Sequence, residues 1–297
     1  MANIYSYRDA NIRKTYLIFT IFLIVIIGLG FIFSQIYGNS LILVGAVIFS
    51  VASSFVSYWY SDKIALSVSG AKPIEKKDAP ELYRTVENLA IASGLPTPRI
   101  YIVPEAAPNA FATGRDPQHA SIAVTAGLLQ IMDKTELEGV VAHELSHVSN
   151  RDILVSSVVV VLVGTISLLA NWLLNSFFWG GMENERDNGA LGLIVGLTLA
   201  IVAPIVATII QLAISRKREL LADASGALLT RYPEGLVSAL EKIEKANLPL
   251  RRASSATAHL WLSDPYRGSK SVSWMQKLFM THPPINERIA ALKKMEG

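Results

Sequence analysis

Four long apolar runs constrain this chain before any other feature does. Tyr16 to about Tyr37, Leu41 to about Tyr60, Ile153 to about Phe178 and about Leu191 to Ile214 contain no Asp, Glu, Lys or Arg. Each has the roughly 20 residues that an α-helix needs to cross a bilayer. Buried core helices are the competing reading, but runs this long without an ionisable group favour spans. The first run is too long for a signal-peptide core and no A-x-A-like site follows it, so an uncleaved anchor is expected. Pro204 is predicted to kink the fourth.

Composition agrees with a membrane protein. The chain of 297 residues is 51% hydrophobic and 17% charged, with a mean hydropathy of +0.38, outside the range of an ordinary soluble enzyme. Net charge is +3. The basic residues flank the apolar runs, which suits a lipid surface rather than nucleic acid. With no cysteine, neither a disulfide framework nor a thiolate metal site is available. A metal site must use histidine and carboxylate.

Basic residues also give an orientation. Arg8, Arg13, Lys14, Lys63, Lys72, Lys76, Lys77, Arg151, Arg216, Lys217 and Arg218 fall on one side of the predicted spans, and Arg186 alone in the opposite loops. Positive charge marks the cytoplasmic side. Both termini and the polar segments are therefore predicted to be cytoplasmic.

The chemistry centres on His143-Glu144-Leu145-Ser146-His147. Residues four apart share a helix face, so both imidazoles can aim at one ion. Glu144 lies about 100° further round, placed as a base rather than a ligand. Thr135-Glu136-Leu137-Glu138 reads as the capping box that opens this helix. A tetrahedral zinc site open for catalysis takes three protein ligands. The best third is Glu219, with Asp223 one turn on to orient a zinc-bound histidine, His143 being the candidate. Solvated charges on a basic helix are the bland alternative for this pair, and the H-E-x-x-H beside it tips the reading. Two spans between His147 and Glu219 return the chain to its starting side, so the three can meet.

Between the membrane hairpins the pattern is that of a small α/β unit. A helix starts at Asp78-Ala79-Pro80-Glu81, and Arg99 to Val103 is a short strand bounded by prolines. Asn109 to Gly114 and Ala120 to Thr125 are two further strands joined by a polar turn. His119 and His259 have no partner at ligand spacing and read as ordinary polar residues.

Taken together, His143-Glu144-Leu145-Ser146-His147 with Asn150 and Asp152, Arg218-Glu219 with Ala222-Asp223, Asn109-Ala110-Phe111-Ala112-Thr113-Gly114, and Thr281-His282-Pro283-Pro284 resemble the HtpX branch of membrane zinc metallopeptidases. These are gluzincins related to the CAAX prenyl proteases. The resemblance covers nearly the whole chain; Leu220-Leu221 stands where some relatives carry a more aromatic or polar pair. It implies a stress-linked endopeptidase of the inner membrane that degrades misfolded or damaged membrane proteins from the cytoplasmic face. By position it implies one Zn2+ per chain held by His143, His147 and Glu219, with Glu144 as base. His282 is a candidate to stabilise the oxyanion, or else packs at a helix start. Asn109, Ala110, Phe111, Ala112, Thr113 and Gly114 form either a strand edge that grips substrate main chain or a purely structural edge.

The expected architecture is an α+β membrane protein with four transmembrane helices and a mainly helical cytoplasmic protease domain containing a small β-sheet. Residues 1–62 form an N-terminal hairpin with spans at about 16–37 and 41–60, and residues 63–152 the α/β part with the H-E-x-x-H helix. Residues 153–214 form a second hairpin with spans at about 153–178 and 191–214, and residues 215–297 the helical part with the third ligand. Partners are unfolded membrane-protein substrates and the bilayer, with no nucleic acid. An intramembrane protease is disfavoured because Asp133, Lys134, Asn150, Arg151 and Asp152 flank the motif. A non-catalytic scaffold would have no need of Glu144.

Overall fold

The computed structural model describes residues 4–180, 205, 209, 216–252, 256–266, 268 and 283–295. It is mostly helical with one small mixed sheet. The expected fourth span, 191–214, lies outside the described residues apart from Ile205 and Ile209, and so does His282.

The first two apolar runs form a helical hairpin, α1 (Ile4–Tyr37) and α2 (Leu41–Val68). Gly38 turns the chain between them at a φ of 61°, a left-handed conformation that glycine adopts without steric cost. At 34 residues, α1 is about 50 Å long. That exceeds a hydrocarbon core of about 30 Å, so a spanning α1 leaves its first turns outside the lipid. α2 continues past the expected end at Tyr60 to Val68 and brings Asp62 to Arg99 at 2.8 Å. The third run opens as α6 (Asp152–Gly180). Three described stretches, Asp9–Tyr37, Leu41–Val68 and Asp152–Asn171, are long and apolar enough to cross a membrane. They pack on one another through Ile18, Phe22 and Ile26 of α1 and Leu154, Val158, Leu162 and Ile166 of α6.

The sheet has four strands in the order β1-β2-β4-β3: β1 (Lys72–Pro73), β2 (Arg99–Val103), β3 (Ala110–Thr113) and β4 (Ser121–Thr125). β2 and β4 are parallel and the other two pairings antiparallel. Side chains alternate across the pleat. Ile100, Ala110, Ala112, Ile122 and Val124 join the core beneath the shorter helices. Val103, Phe111 and Ala123 face the other way, onto Ala65 and Leu66 of α2 and Val160 of α6. The sheet is thus wedged between the shorter helices and the ends of the long apolar ones.

α3 (Pro80–Ala92) starts with proline in its first turn, and α4 (Ala126–Ile131) is a single short helix. α5 (Lys134–Ser149) carries the H-E-x-x-H and is buried along most of its length. Its capping box is Asp133 with Glu136 rather than the expected Thr135 with Glu138. Asp133 Oδ1 accepts the Glu136 N–H at 2.9 Å and Glu136 Oε2 the Asp133 N–H at 2.8 Å. The two overlapping D-x-x-E and T-x-x-E patterns compete, and the earlier one wins because Glu136 is also held by Ser238 and Lys242, each at 2.6 Å. These belong to α8 (Pro233–Ala246), which follows α7 (Arg216–Thr230). α9 (Ile285–Lys293) completes the described helices. α7 and α8 pack against α5 at glycines: a Cβ on Gly226 would meet the His143 backbone nitrogen at 3.0 Å, and one on Gly139 the Leu236 nitrogen at 2.7 Å.

Candidate metal centre

His143 and His147 lie on one face of α5, with ring centroids 4.8 Å apart and Nε2 atoms 3.2 Å apart. Glu219, in the first turn of α7, brings Oε2 to 3.8 Å from His143 Nε2 and Oε1 to 3.7 Å from His147 Nε2. All three ligating atoms lie within 4.8 Å of one another. Bonds of about 2.0–2.1 Å in a tetrahedron place ligand atoms about 3.4 Å apart. The donor set fits a single cation.

The outward ring nitrogens each meet a carboxylate. His143 Nδ1 is 2.9 Å from Asp223 Oδ1, and His147 Nδ1 is 3.0 Å from Asp152 Oδ2. A carboxylate accepting at Nδ1 keeps the proton there and leaves the Nε2 lone pair free to bind. Sequence reasoning gave Asp223 this place beside His143, but counted Asp152 only among the motif residues and the flanking charges, with no role at His147. It gave no site role to Arg288, which holds Asp223, nor to Asn11, and it read Arg218 as a motif residue and an orienting charge; Asn11 and Arg218 reach Asp152 at 2.7 and 3.3 Å.

The charge balance favours a cation. Burial opposes protonation of His147, but its bond to Asp152 and the charges of Glu219, Asp152 and Glu144 raise its pKa to about 9. A field that holds a proton so firmly favours a metal ion in the same place. Burial pushes the Glu144 carboxyl up to about 7, with Glu219 adding to the effect and His147 and Arg288 opposing it. Asp223 moves the other way. Burial would raise it, yet the Arg288 guanidinium and the His143 hydrogen bond bring it to about 2.

Glu144 lines the same cleft as His143, His147 and Glu219, together with Ala112, Ser156 and Trp261. Its carboxylate accepts the N–H of Ala112. β3 is the edge strand of the sheet, and further contacts occupy its outer side. Leu262 N–H donates to the Ala110 carbonyl at 2.9 Å, and Gly114 N–H to Ser157 Oγ at 3.1 Å. Asn109 pairs with the Ser263 backbone through both Oδ1 and Nδ2, at 3.1 and 3.0 Å. Phe111 instead points to the opposite face, against Trp261 at 4.8 Å between centroids, while the Thr113 hydroxyl bonds Ser157. His259 also lines the cleft, with Nε2 2.9 Å from the Ser156 carbonyl. No residue at helical spacing from His259 hints at this, since its segment reaches the cleft only through long-range packing. His119 sits away from the centre, between Arg115 and Asp116.

Residues 76–296 match the model of Peptidase family M48. The chain is 47% identical over 293 residues to the protease HtpX homolog of Tropheryma whipplei (strain Twist), covering 98% of each chain. It is 47% identical over 298 residues to that of Thermoanaerobacter pseudethanolicus, again over 98% of each, and 47% identical over 273 residues to that of Pyrococcus furiosus, over 91% of each. A crystal structure of S. mikatae Ste24p superposes with a TM-score of 0.49 at 19% identity, over 94% of this chain and 62% of that one.

Proposed function

This chain belongs to peptidase family M48 and within it to the HtpX metalloproteases, and from that premise we propose that it is a zinc-dependent endopeptidase of the inner membrane. Its substrates are misfolded or damaged membrane proteins, cut at the cytoplasmic face. The observation that carries this reading is the convergence of His143, His147 and Glu219 within 4.8 Å, beside the buried carboxyl of Glu144. The clustering of Lys and Arg on one side of the spans supports the orientation.

His143, His147 and Glu219 would hold one Zn2+, and Asp223 and Asp152 keep the two rings in the binding tautomer. A zinc ion held there would supply Lewis acidity to the scissile carbonyl and to an attacking water. Glu144 takes the proton as water attacks and passes it to the leaving amine. Of the expected substrate strand, Asn109 to Gly114, only the stretch at Ala112, next to Glu144, is kept as a grip for substrate main chain, because the outer groups of Asn109, Ala110 and Gly114 are already bonded to Ser263, Leu262 and Ser157. For His282, only the rigid turn Thr281-His282-Pro283-Pro284 in the sequence supports a role at the oxyanion, beside the alternative that it packs at a helix start.

The test uses detergent-purified full-length protein and an unfolded membrane-protein substrate. Zinc-dependent cleavage is expected to fall by a factor of about 10² to 10⁴ or more in Glu144→Gln, while the variant still binds one zinc per chain. Undiminished cleavage by the variant would remove Glu144 from the mechanism. Wild-type protein that binds zinc and cuts no unfolded membrane protein would overturn the endopeptidase reading.

A further inference from the structure

We propose that Asn11, in the first turns of α1, is a positioning residue of the metal centre, holding the carboxylate that orients His147. The inference rests on the zinc reading above. Asn11 is 3% exposed. Its amide nitrogen lies 2.7 Å from Asp152 Oδ1 and 2.9 Å from the carbonyl of Asn150. An amide nitrogen has two hydrogens, so these contacts use both.

The two acceptors flank an unusual turn. α5 ends at Ser149 and α6 begins at Asp152, and Arg151 between them has a φ of 60°. A non-glycine residue in this region costs of order 1 kcal/mol or more and persists only where its surroundings fix it. This turn swings Asp152 back so that Oδ2 meets His147 Nδ1 at 3.0 Å, five residues up the chain. Asn11 fastens both sides of it. Arg218 also reaches Oδ1, but at 3.3 Å. With Oδ1 engaged by these two donors, Oδ2 is left for the imidazole. An apolar side chain at position 11 would fill the space without fastening either acceptor.

The consequence is that the helix anchoring the chain in the membrane is also part of the support of the metal site. Below Asn11, the same helix packs Ile18, Phe22 and Ile26 against α6. A carboxylate behind a metal-bound histidine is typically worth 10- to 100-fold in metal affinity, which sets the expected size of the effect.

The test is zinc affinity of the full-length protein in detergent, measured by competition with a chromophoric chelator. Asn11→Leu, close in volume and without donors, is expected to raise the zinc Kd about tenfold or more. On an Asp152→Asn background the same substitution should change Kd by less than about twofold, because its route to His147 is already cut. If Asn11→Leu does not fold, Asn11→Ser removes the same two contacts without adding an apolar group. A folded variant with wild-type Kd overturns the proposal, as does an equal loss with and without Asp152. Failure of both variants to fold overturns it too, making Asn11 a folding residue. Wild-type protein that binds no zinc would instead overturn the reading on which the proposal rests, and the proposal with it.

Discussion

The Arg288 guanidinium grips the Asp223 carboxylate through two hydrogen bonds, Nε to Oδ2 at 2.8 Å and Nη2 to Oδ1 at 2.6 Å, with both side chains out of contact with water. Its third nitrogen donates to the Leu262 carbonyl at 2.8 Å. One residue of the last described helix therefore ties the support of His143 to the wall of the cleft. Asp223 stays ionised because burial, which would protonate it, is outweighed by Arg288. An ionised carboxylate can only accept, so His143 must donate from Nδ1.

Removing Arg288 leaves a buried carboxylate without its countercharge, a loss worth about 3–5 kcal/mol. Arg288→Met should lower the melting temperature of the metal-free protein in detergent by about 10 °C. Arg288→Lys keeps a point charge but cannot supply the fork, so it should fall between Met and wild type. A Met variant as stable as wild type would show that the pair is not what holds α9 against α7.

Gly226 sets the distance between α7 and α5. The atoms that an added Cβ would meet, at 3.0 to 3.2 Å, are the backbone of Ala142 and His143, and no rotamer change can move them. Gly226→Ala must push α7 away, and Glu219 sits on that helix two turns earlier. Overpacking of this kind costs about 1–3 kcal/mol, and the displaced carboxylate should raise the zinc Kd. At Gly164 in α6 an added Cβ meets nothing within 4 Å. Gly164→Ala is therefore the control, expected to leave Kd unchanged and stability within about 1 kcal/mol. Equal effects at both glycines would refute the close-approach argument.

The legible parts of the site were those with a local period. The i, i+4 spacing of His143 and His147, repeated by Glu219 and Asp223, places each pair on one helix face, and the structure brings those faces together. Equally local signals marked the strands: the bounding prolines for Arg99 to Val103, and the polar turn between Asn109 to Gly114 and Ala120 to Thr125. What was not legible depends on turns and on long-range packing. Asp152 meets His147 only because the chain reverses at Arg151, a residue type that seldom adopts a φ of 60°. Arg288 is 65 residues from Asp223, and Asn11 is 141 from Asp152. In sequence they look like any arginine near a terminus and any asparagine before an apolar run. The two-residue strand β1 has too few side chains to carry a pattern.

The start of α5 offers the plainest contest between two readings of one stretch. Thr135-x-x-Glu138 and Asp133-x-x-Glu136 both fit a capping box, and the structure uses the second, with the Thr135 hydroxyl donating to Asp133 Oδ1 at 2.7 Å. Asp133→Ala should therefore destabilise the protein by about 1 kcal/mol, and Thr135→Ala by less. The pH dependence separates them further. The Glu136 N–H, then the Thr135 hydroxyl, hold the Asp133 carboxyl below its ordinary 3.8. A carboxyl depressed by folding contributes stability above its unfolded pKa of about 3.9 and loses it as pH falls through the folded value. The gap in melting temperature between wild type and Asp133→Ala should thus be constant from pH 7 to about 5 and narrow below about 4. Groups that titrate alike in both proteins cancel in this difference. A gap as wide at pH 3 as at pH 7, or a larger loss from Thr135→Ala, would return the cap to Thr135.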